Sequence, residues 1–503
     1  MVPFTSNRPA GYSFLIKQYQ LEVLPNWHAS SVRSSGTLNS TIQGAQVQTS
    51  YPPSYWPGEK SGDHLEFALK YDGINLGILS VLFKVISKEE LTAWIALKPT
   101  GKYTRKTWFL YEFLTGEQLP LQNMTRGNYF PLLEDTKYYA LPTGKRVPRQ
   151  RIINNLLGKR SFCPIIRRTE KLKAMEKLHL QEYFEKLLIS YSPELLQRAL
   201  IYLYNKETTS SFEIEHIKPS TSRIERFMQL LEIAEHQDFC KKESLLQLQN
   251  QLVDPRFQDR DYRKNQNYIA QTSSHYKQIV HYVPPKPEDL PELMEGLIEC
   301  HEIMKKEALH PLVHGAIISY GFVFLHPFED GNGRIHRFLI HNILSLRQAT
   351  PKGLIFPISA TMLKNLPLYN QSLESFSKPL MRLIEYHLDD AGHMTVHGET
   401  ASWYRYMDMT LQAEALYDFV KRTGEEELLK ELDFLAKYDE TKQALQDILD
   451  MPDRLIDLFI RLSLQGKGFL SAKKRKTHFE FLTDQELKKM EGIVRGKYDI
   501  HEA

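Results

Sequence analysis

The sequence predicts a mainly α protein: a helical core carrying one β-hairpin, a mixed α/β domain before it and a helical domain after it. Three observations carry that expectation. From about residue 165 onward, apolar residues recur at three- and four-residue spacing, the period of helices with one buried face. One stretch breaks this period, about 267–283, where strand-like residues flank the polar tip QTSSHYKQ and read as a hairpin. The first sixty residues are instead rich in Ser, Thr, Gly and Pro, and apolar runs of strand-like character follow them.

Along the chain, residues 1–160 make the N-terminal domain. Its SSVRSSGTLNST and YPPSYWPGE segments suggest long loops, and Leu65–Leu69, Ile74–Ile86 and Lys106–Leu114 read as strands. PTGKRVPRQR, near 142–151, reads as a solvated linker. The central domain, 161–395, opens with helices over Leu172–Leu188 and Pro193–Tyr204. Ser222-Arg-Ile-Glu225 has the spacing of a capping box and is expected to open an amphipathic segment reaching about Leu252. PPKP at 284–287 closes the hairpin, and helices return over Glu292–Glu307 and Pro311–Leu325. Residues 396–503 are again helical and highly charged, with AKKRK at 472–476 as a solvated basic turn.

At 503 residues, 42% of them hydrophobic, the chain is long enough for several cores. The 64 basic and 61 acidic residues leave a net charge of only +3, which disfavours a nucleic-acid or membrane-surface partner. Three widely spaced cysteines, with no CxxC pair, argue against a disulfide framework or a zinc site. The start lacks the basic and apolar runs of a signal peptide, and the longest apolar stretch, Pro311 to Leu325, is shorter than a membrane span. A cytoplasmic protein without a membrane partner is expected.

The chemistry concentrates in His326-Pro-Phe-Glu-Asp-Gly-Asn-Gly-Arg-Ile-His-Arg337. A buried helix with Val313, Ile317, Tyr320 and Phe324 on one face runs into a loop at His326, and a second helix starts near Gly333. Gly331-Asn332-Gly333 lets the backbone approach a ligand closely, and free N–H groups at a helix start attract an anion. Arg334 and Arg337 lie three apart, hence on one side of that helix, as a polyphosphate requires. Asp330 supplies a carboxylate that can hold Mg²⁺ already bound to phosphates. His326 is the nearby group whose ordinary pKa suits proton removal near neutral pH. Taken singly, each is ordinary: a core histidine, a turn, a helix surface. Together they describe phosphoryl or nucleotidyl transfer. His310, His314, His336 and His341 lack metal-ligand spacing and read as structural or solvated.

HPFEDGNGRIHR resembles the Fic family motif, HPFx(D/E)GNGRxxR, at every defining position. The resemblance extends over roughly 165–390, and YRKNQNYIA at 262–270 with HYVPP at 281–285 look like the two sides of that family's flap hairpin. It implies an all-helical core in which His326 deprotonates a Ser, Thr or Tyr hydroxyl of a target protein for attack on the α-phosphate of ATP. Asp330 would hold Mg²⁺, while Gly331, Asn332 and Gly333 cradle phosphate oxygens and Arg334 and Arg337 grip the outer phosphates. Phe328 would anchor the loop, and Tyr369 and Asn370 are candidates for the adenine side. Ser210-Ser-Phe-Glu-Ile-Glu-His216 resembles the inhibitory motif (S/T)xxxE(G/N), within a helix expected at about 208–218, with His216 in place of Gly or Asn. In that motif Glu215, anchored through Ser211, pairs with Arg337 and blocks the γ-phosphate. The partners implied are ATP, an unidentified target protein and the chain itself as a self-modified substrate; a homo-oligomer is left open. Two alternatives stand beside AMP transfer. The same fold could remove AMP or transfer another phosphate-containing group, or the core could be a catalytically silent regulatory or binding protein.

Overall fold

The computed structural model describes residues 7–272 and 278–500, and the chain is mainly helical. In the N-terminal domain, strands β1 (Arg8–Ala10), β2 (His28–Val32), β3 (Asn39–Gln43) and β4 (Gln46–Tyr51) form a sheet in the order β1-β2-β4-β3, with β2 and β4 parallel. Helices α1 (Tyr12–Tyr19), α2 (Ser61–Phe67), α3 (Leu76–Val85), α4 (Lys88–Leu97) and α5 (Lys102–Thr115) pack with a small sheet of β5 (Phe130–Pro131), β6 (Lys145–Val147) and β7 (Ile152–Asn154).

Mixed α/β is therefore the right class for this domain, but strands and helices have exchanged places. The Ser/Thr-rich segments expected to be loops are β2 to β4, because their hydroxyls are satisfied internally. Ser31 pairs with Ser50 at 3.0 Å, Ser40 with Thr49 at 2.9 Å, and Thr49 with His28 Nε2 at 2.8 Å. The runs expected to be strands, Leu65–Leu69, Ile74–Ile86 and Lys106–Leu114, are helical or nearly so. A helix buried on most sides loses its amphipathic period and looks like a buried strand. The start signal of α3 was nevertheless present: the Asn75 side chain accepts from Ile78 N at 3.0 Å. PTGKRVPRQR is not a linker either. Arg149 binds Glu112 at 3.0 Å and the carbonyls of Leu119 and Leu121, tying this segment to α5.

The central helices are α6 (Glu170–Glu176), α7 (Leu180–Leu188), α8 (Pro193–Glu213), α9 (Thr221–Ile233) and α10 (Lys242–Leu252), followed by the hairpin β8 (Ile269–Thr272) and β9 (Gln278–Tyr282). The hairpin is antiparallel as expected; 273–277 of its tip lie outside the described residues. Ser222 does not open α9: Ser220 is the N-cap, without a side-chain cap bond, and the segment breaks before α10. Then come α11 (Leu290–Lys305), α12 (Pro311–Leu325), α13 (Asn332–Leu346), α14 (Ile358–Lys364) and α15 (Leu366–Leu380), the hairpin β10 (Tyr386–Leu388) and β11 (Met394–Val396), α16 (Ala401–Arg405) and α17 (Thr410–Arg422).

The apolar core of this region continues through Trp403, Leu416, Phe419, Leu428 and Leu432, so the boundary expected at 395/396 is not a break in packing. The chain continues as α18 (Leu429–Gln446), α19 (Asp453–Gln465), α20 (Ala472–His478) and α21 (Asp484–Lys497). Helices α19 and α21 form, with the end of α18 and the segment after α20, a small core of their own around Ile456, Phe459, Phe479 and Met490. AKKRK lies in α20, a helix rather than a turn. Among the described residues no helix is long and apolar enough to cross a membrane, and all three cysteines are free and buried.

Candidate active site

Helix α12, buried along nearly its whole length, ends where His326 adopts the left-handed conformation, φ 50° and ψ 58°. The turn back into α13 is fixed by Phe328, fully buried against Tyr262 and Phe322, as expected of an anchor. The Asn332 side chain accepts from Phe328 N at 3.0 Å and donates to its carbonyl at 2.7 Å, so it braces the loop from within. Gly331, at φ 91°, precedes α13 in a conformation that disfavours any side chain, and a Cβ there would meet Val253 at 2.9 Å.

His326 is half-buried, and its Nδ1 lies 3.1 Å from the Val323 carbonyl. A carbonyl only accepts, so Nδ1 carries the proton and Nε2 keeps a lone pair. Burial pushes its pKa down to about 4; the Val323 bond and Asp330 oppose the shift and Arg263 adds to it. The ring is therefore neutral, and competent as a base, at physiological pH.

Arg334 and Arg337 are both buried on α13, and a carboxylate lies between them. Glu215 Oε2 accepts from Arg334 Nε at 2.8 Å, and Glu215 Oε1 from Arg337 Nη2 at 2.7 Å. The same carboxylate presses on the start of α13: a Cβ at Gly333 would come within 2.3 Å of Glu215 Oε1. Glu215 is thus an anion seated at a helix N-terminus between two guanidinium groups, where the sequence places phosphate. Burial opposes the charge of Arg337, but Glu215 outweighs it and holds the guanidinium proton more tightly than usual.

Glu215 reaches this position because α8 ends in a left-handed cap. Ile217 N donates to Phe212 O at 3.1 Å and His216 N to Glu213 O at 2.9 Å, with His216 at φ 56°. This is the position where the resembled motif has Gly or Asn. Ser211 binds Arg337, through its hydroxyl at 2.9 Å and its carbonyl at 2.6 Å, and so orients the arginine. Deeper in α8, Glu207 pairs with His341 of α13 at 2.8 Å and accepts from Ser359 N of α14 at 2.7 Å. Lys206 reaches Glu427 at 2.9 Å.

Asp330 Oδ1 accepts from Gly331 N at 2.6 Å and Arg334 Nη2 at 2.7 Å. The side chain is 42% exposed and its second oxygen, a hard donor, fits a divalent cation that draws most ligands from phosphate and water. Tyr369 and Asn370 are neighbours on α15 and therefore face different ways. Tyr369 is buried, with its hydroxyl 3.4 Å from Arg337 Nη1, whereas Asn370 is exposed. The other nearby histidines are structural: His336 bonds Ser319 O at 2.8 Å, His314 bonds His301 at 3.0 Å, and His310 caps α12.

Sequence reasoning missed two arginines. Arg223 of α9 shares the Leu252 carbonyl with Arg334, at 2.8 and 3.0 Å, and both guanidinium groups lie over the Phe212 ring. Arg263, within YRKNQNYIA, bonds the carbonyl of His326 at 2.9 Å. Both lie in segments the sequence marks for other reasons, but their partners across the site are backbone carbonyls distant along the chain, which no local pattern reveals.

The Fic/DOC family profile matches residues 239–344, which include His326, Asp330, Arg334 and Arg337. A protein adenylyltransferase Fic from Nematostella vectensis is 40% identical over 74 residues, 15% of this chain and 17% of that protein. One from Drosophila willistoni is 34% identical over 103 residues, 20% of this chain and 18% of its own length. The chain thus spans less than a fifth of the length of these curated relatives. Among solved structures, a Fic family protein from Desulfovibrio desulfuricans G20 aligns over 66% of this chain and 88% of its own, at 18% identity and a TM-score of 0.38. Residues 239–344 thus resemble the Fic/DOC family, and the loop from His326 with the start of α13 lies inside that match.

Proposed function

We propose that the protein is an adenylyltransferase that moves AMP from ATP to a Ser, Thr or Tyr hydroxyl of a target protein, and that Glu215 restrains it. The observation that carries this reading is the Glu215 carboxylate seated between Arg334 and Arg337 beside a histidine whose Nε2 is free to accept a proton. A carboxylate between two guanidinium groups makes the paired contacts that a phosphate would make, which supports reading this as an anion seat.

In the proposed reaction, the hydroxyl oxygen bonds to the α-phosphorus of ATP as its proton passes to His326 Nε2. The bond from that phosphorus to the bridging oxygen breaks, and pyrophosphate leaves. Arg334 and Arg337 hold the outer phosphates, and the N–H groups at the start of α13 face the charge that builds on the α-phosphate. Asp330 would hold Mg²⁺, which neutralises phosphate charge when bound. Glu215 occupies the seat that the γ-phosphate needs, so ATP binds with its α-phosphate out of line. A displacement near 1 Å costs roughly a hundredfold in rate.

The test is label transfer from ATP, CTP, GTP and UTP carrying an α-phosphate label, followed as self-modification and on added proteins. Glu215→Gly is expected to label from ATP at least tenfold faster than wild type, on the scale of that displacement. Adding His326→Ala should abolish labelling while ATP binding persists, and adding Arg337→Ala should lower it again. If Glu215→Gly labels no faster than wild type, Glu215 is not a restraint. Labelling that survives His326→Ala removes His326 as the base.

A further inference from the structure

Arg263 is 4% exposed and forms no ion pair with a carboxylate among the described residues. Its donors go instead to backbone carbonyls on three segments. Nε donates to His326 O at 2.9 Å, Nη1 to Asn265 O at 2.9 Å, and Nη2 to Pro285 O. Its own backbone N–H donates to Pro327 O at 2.8 Å. One residue therefore ties the segment entering the flap, the segment leaving it, and the two residues that turn the chain out of α12. The flap is held to the same loop by Asn267, whose side chain donates to Phe328 O at 3.1 Å, and to the last turn of α12 by the Tyr282 hydroxyl on Phe324 O.

A buried cation with no carboxylate in contact is expensive; Glu329 favours the charge of Arg263 through space, and the carbonyl dipoles supply the direct bonds. Two of those carbonyls belong to the turn in which His326 is left-handed. A left-handed backbone at a residue with a β-carbon is strained and persists only where surrounding bonds over-determine it. Here the carbonyls of His326 and of Pro327 are both claimed by Arg263. We propose that Arg263 is a positioning residue of this active site: it locks His326 in its left-handed conformation and joins that conformation to both sides of the flap, so that base and flap move as one body. The proposal rests on the reading of His326 as the base. Charge acts in the same direction. Of the charged groups facing the imidazole, Arg263 disfavours its protonation and Asp330 favours it.

The experiment uses the full-length chain with Glu215→Gly, into which Arg263→Gln or Arg263→Lys is added. Two readouts are followed: kcat and KM for ATP, and the titration and tautomer of His326 by NMR of ¹³C-labelled histidine, its signal assigned by loss in His326→Ala. Arg263→Gln is expected to lower kcat at least tenfold with KM for ATP within about twofold, the signature of a lost alignment. It should also move the His326 titration to higher pH and weaken the Nδ1–H tautomer. Arg263→Lys keeps the charge but not the planar fork, so kcat should fall while the titration stays near wild type. It also carries the test if the glutamine variant does not fold. Wild-type kcat in either folded variant, or a rise in KM matching the fall in kcat, overturns the proposal. If no variant transfers AMP, the reaction reading fails; an unaltered His326 signal in Arg263→Gln would then overturn the positioning role by itself.

Discussion

His216 lies in the left-handed region, φ 56°, at the cap that delivers Glu215. Asparagine and glycine adopt this conformation with least strain; histidine tolerates it, and a β-branched residue does not. His216→Val should therefore cost roughly 1–2 kcal/mol. It should also loosen the cap and raise self-labelling above wild type, whereas His216→Gly should label no faster than wild type. Thermal unfolding together with label transfer checks both. The 326–337 motif was legible in sequence because its histidine, carboxylate and arginines fall within one loop and one helical turn. Arg263 and Arg223 were not, because carbonyls leave no trace in a sequence. Tyr369 and Asn370 share a sequence neighbourhood, but on a helix adjacent residues diverge, and only Tyr369 meets Arg337.

At the scale of elements, α8 is a lever whose buried middle is pinned by Glu207 and whose end carries the carboxylate. Glu215 is 24% exposed, while Arg334 and Arg337 are nearly inaccessible. Glu215→Gly leaves two buried cations with one carboxylate fewer, a loss on the order of 3 kcal/mol. Free Glu215→Gly should accordingly unfold at lower urea than wild type. ATP with Mg²⁺ at a hundred times its Kd should return about 2.7 kcal/mol. A variant as stable as wild type without nucleotide would mean that the ion pairs contribute nothing. Sequence gave α12 its bounds and the hairpin its location, because proline marks the start of the one and the end of the other. It misjudged α3, where burial on most sides erases the period that distinguishes helix from strand.

For the whole molecule, buried neutral histidines set the response to acid. Burial lowers His64, His310 and His326 to about 4, His336 to about 3, and His314 well below its usual value. Between pH 4 and the ordinary value near 6.5, the unfolded chain binds protons that the folded chain refuses, so stability falls as pH drops through that window and is flat above it. Urea midpoints at pH 7.5, 6.5 and 5.5 should show little change over the first step and a clear loss over the second. Carboxylates held low, such as Glu134 at about 2, act only in stronger acid.

The segment after the N-terminal domain pairs with residues far down the chain: Cys163 N donates to Arg405 O at 2.7 Å, Ile165 N to Met407 O at 2.9 Å, and Met409 N returns to Ile165 O at 2.9 Å. Helix α17, which follows that clasp, packs on α12. During synthesis α12 and α13 thus leave the ribosome well before the segment that packs on α12. At 5–20 residues per second the interval from Leu346 to Arg422 is several seconds, during which α12 has no complete burial. Ordering of the His326 loop is then a late event in biogenesis, and nascent chains lacking α17 carry the motif without a finished core to hold it.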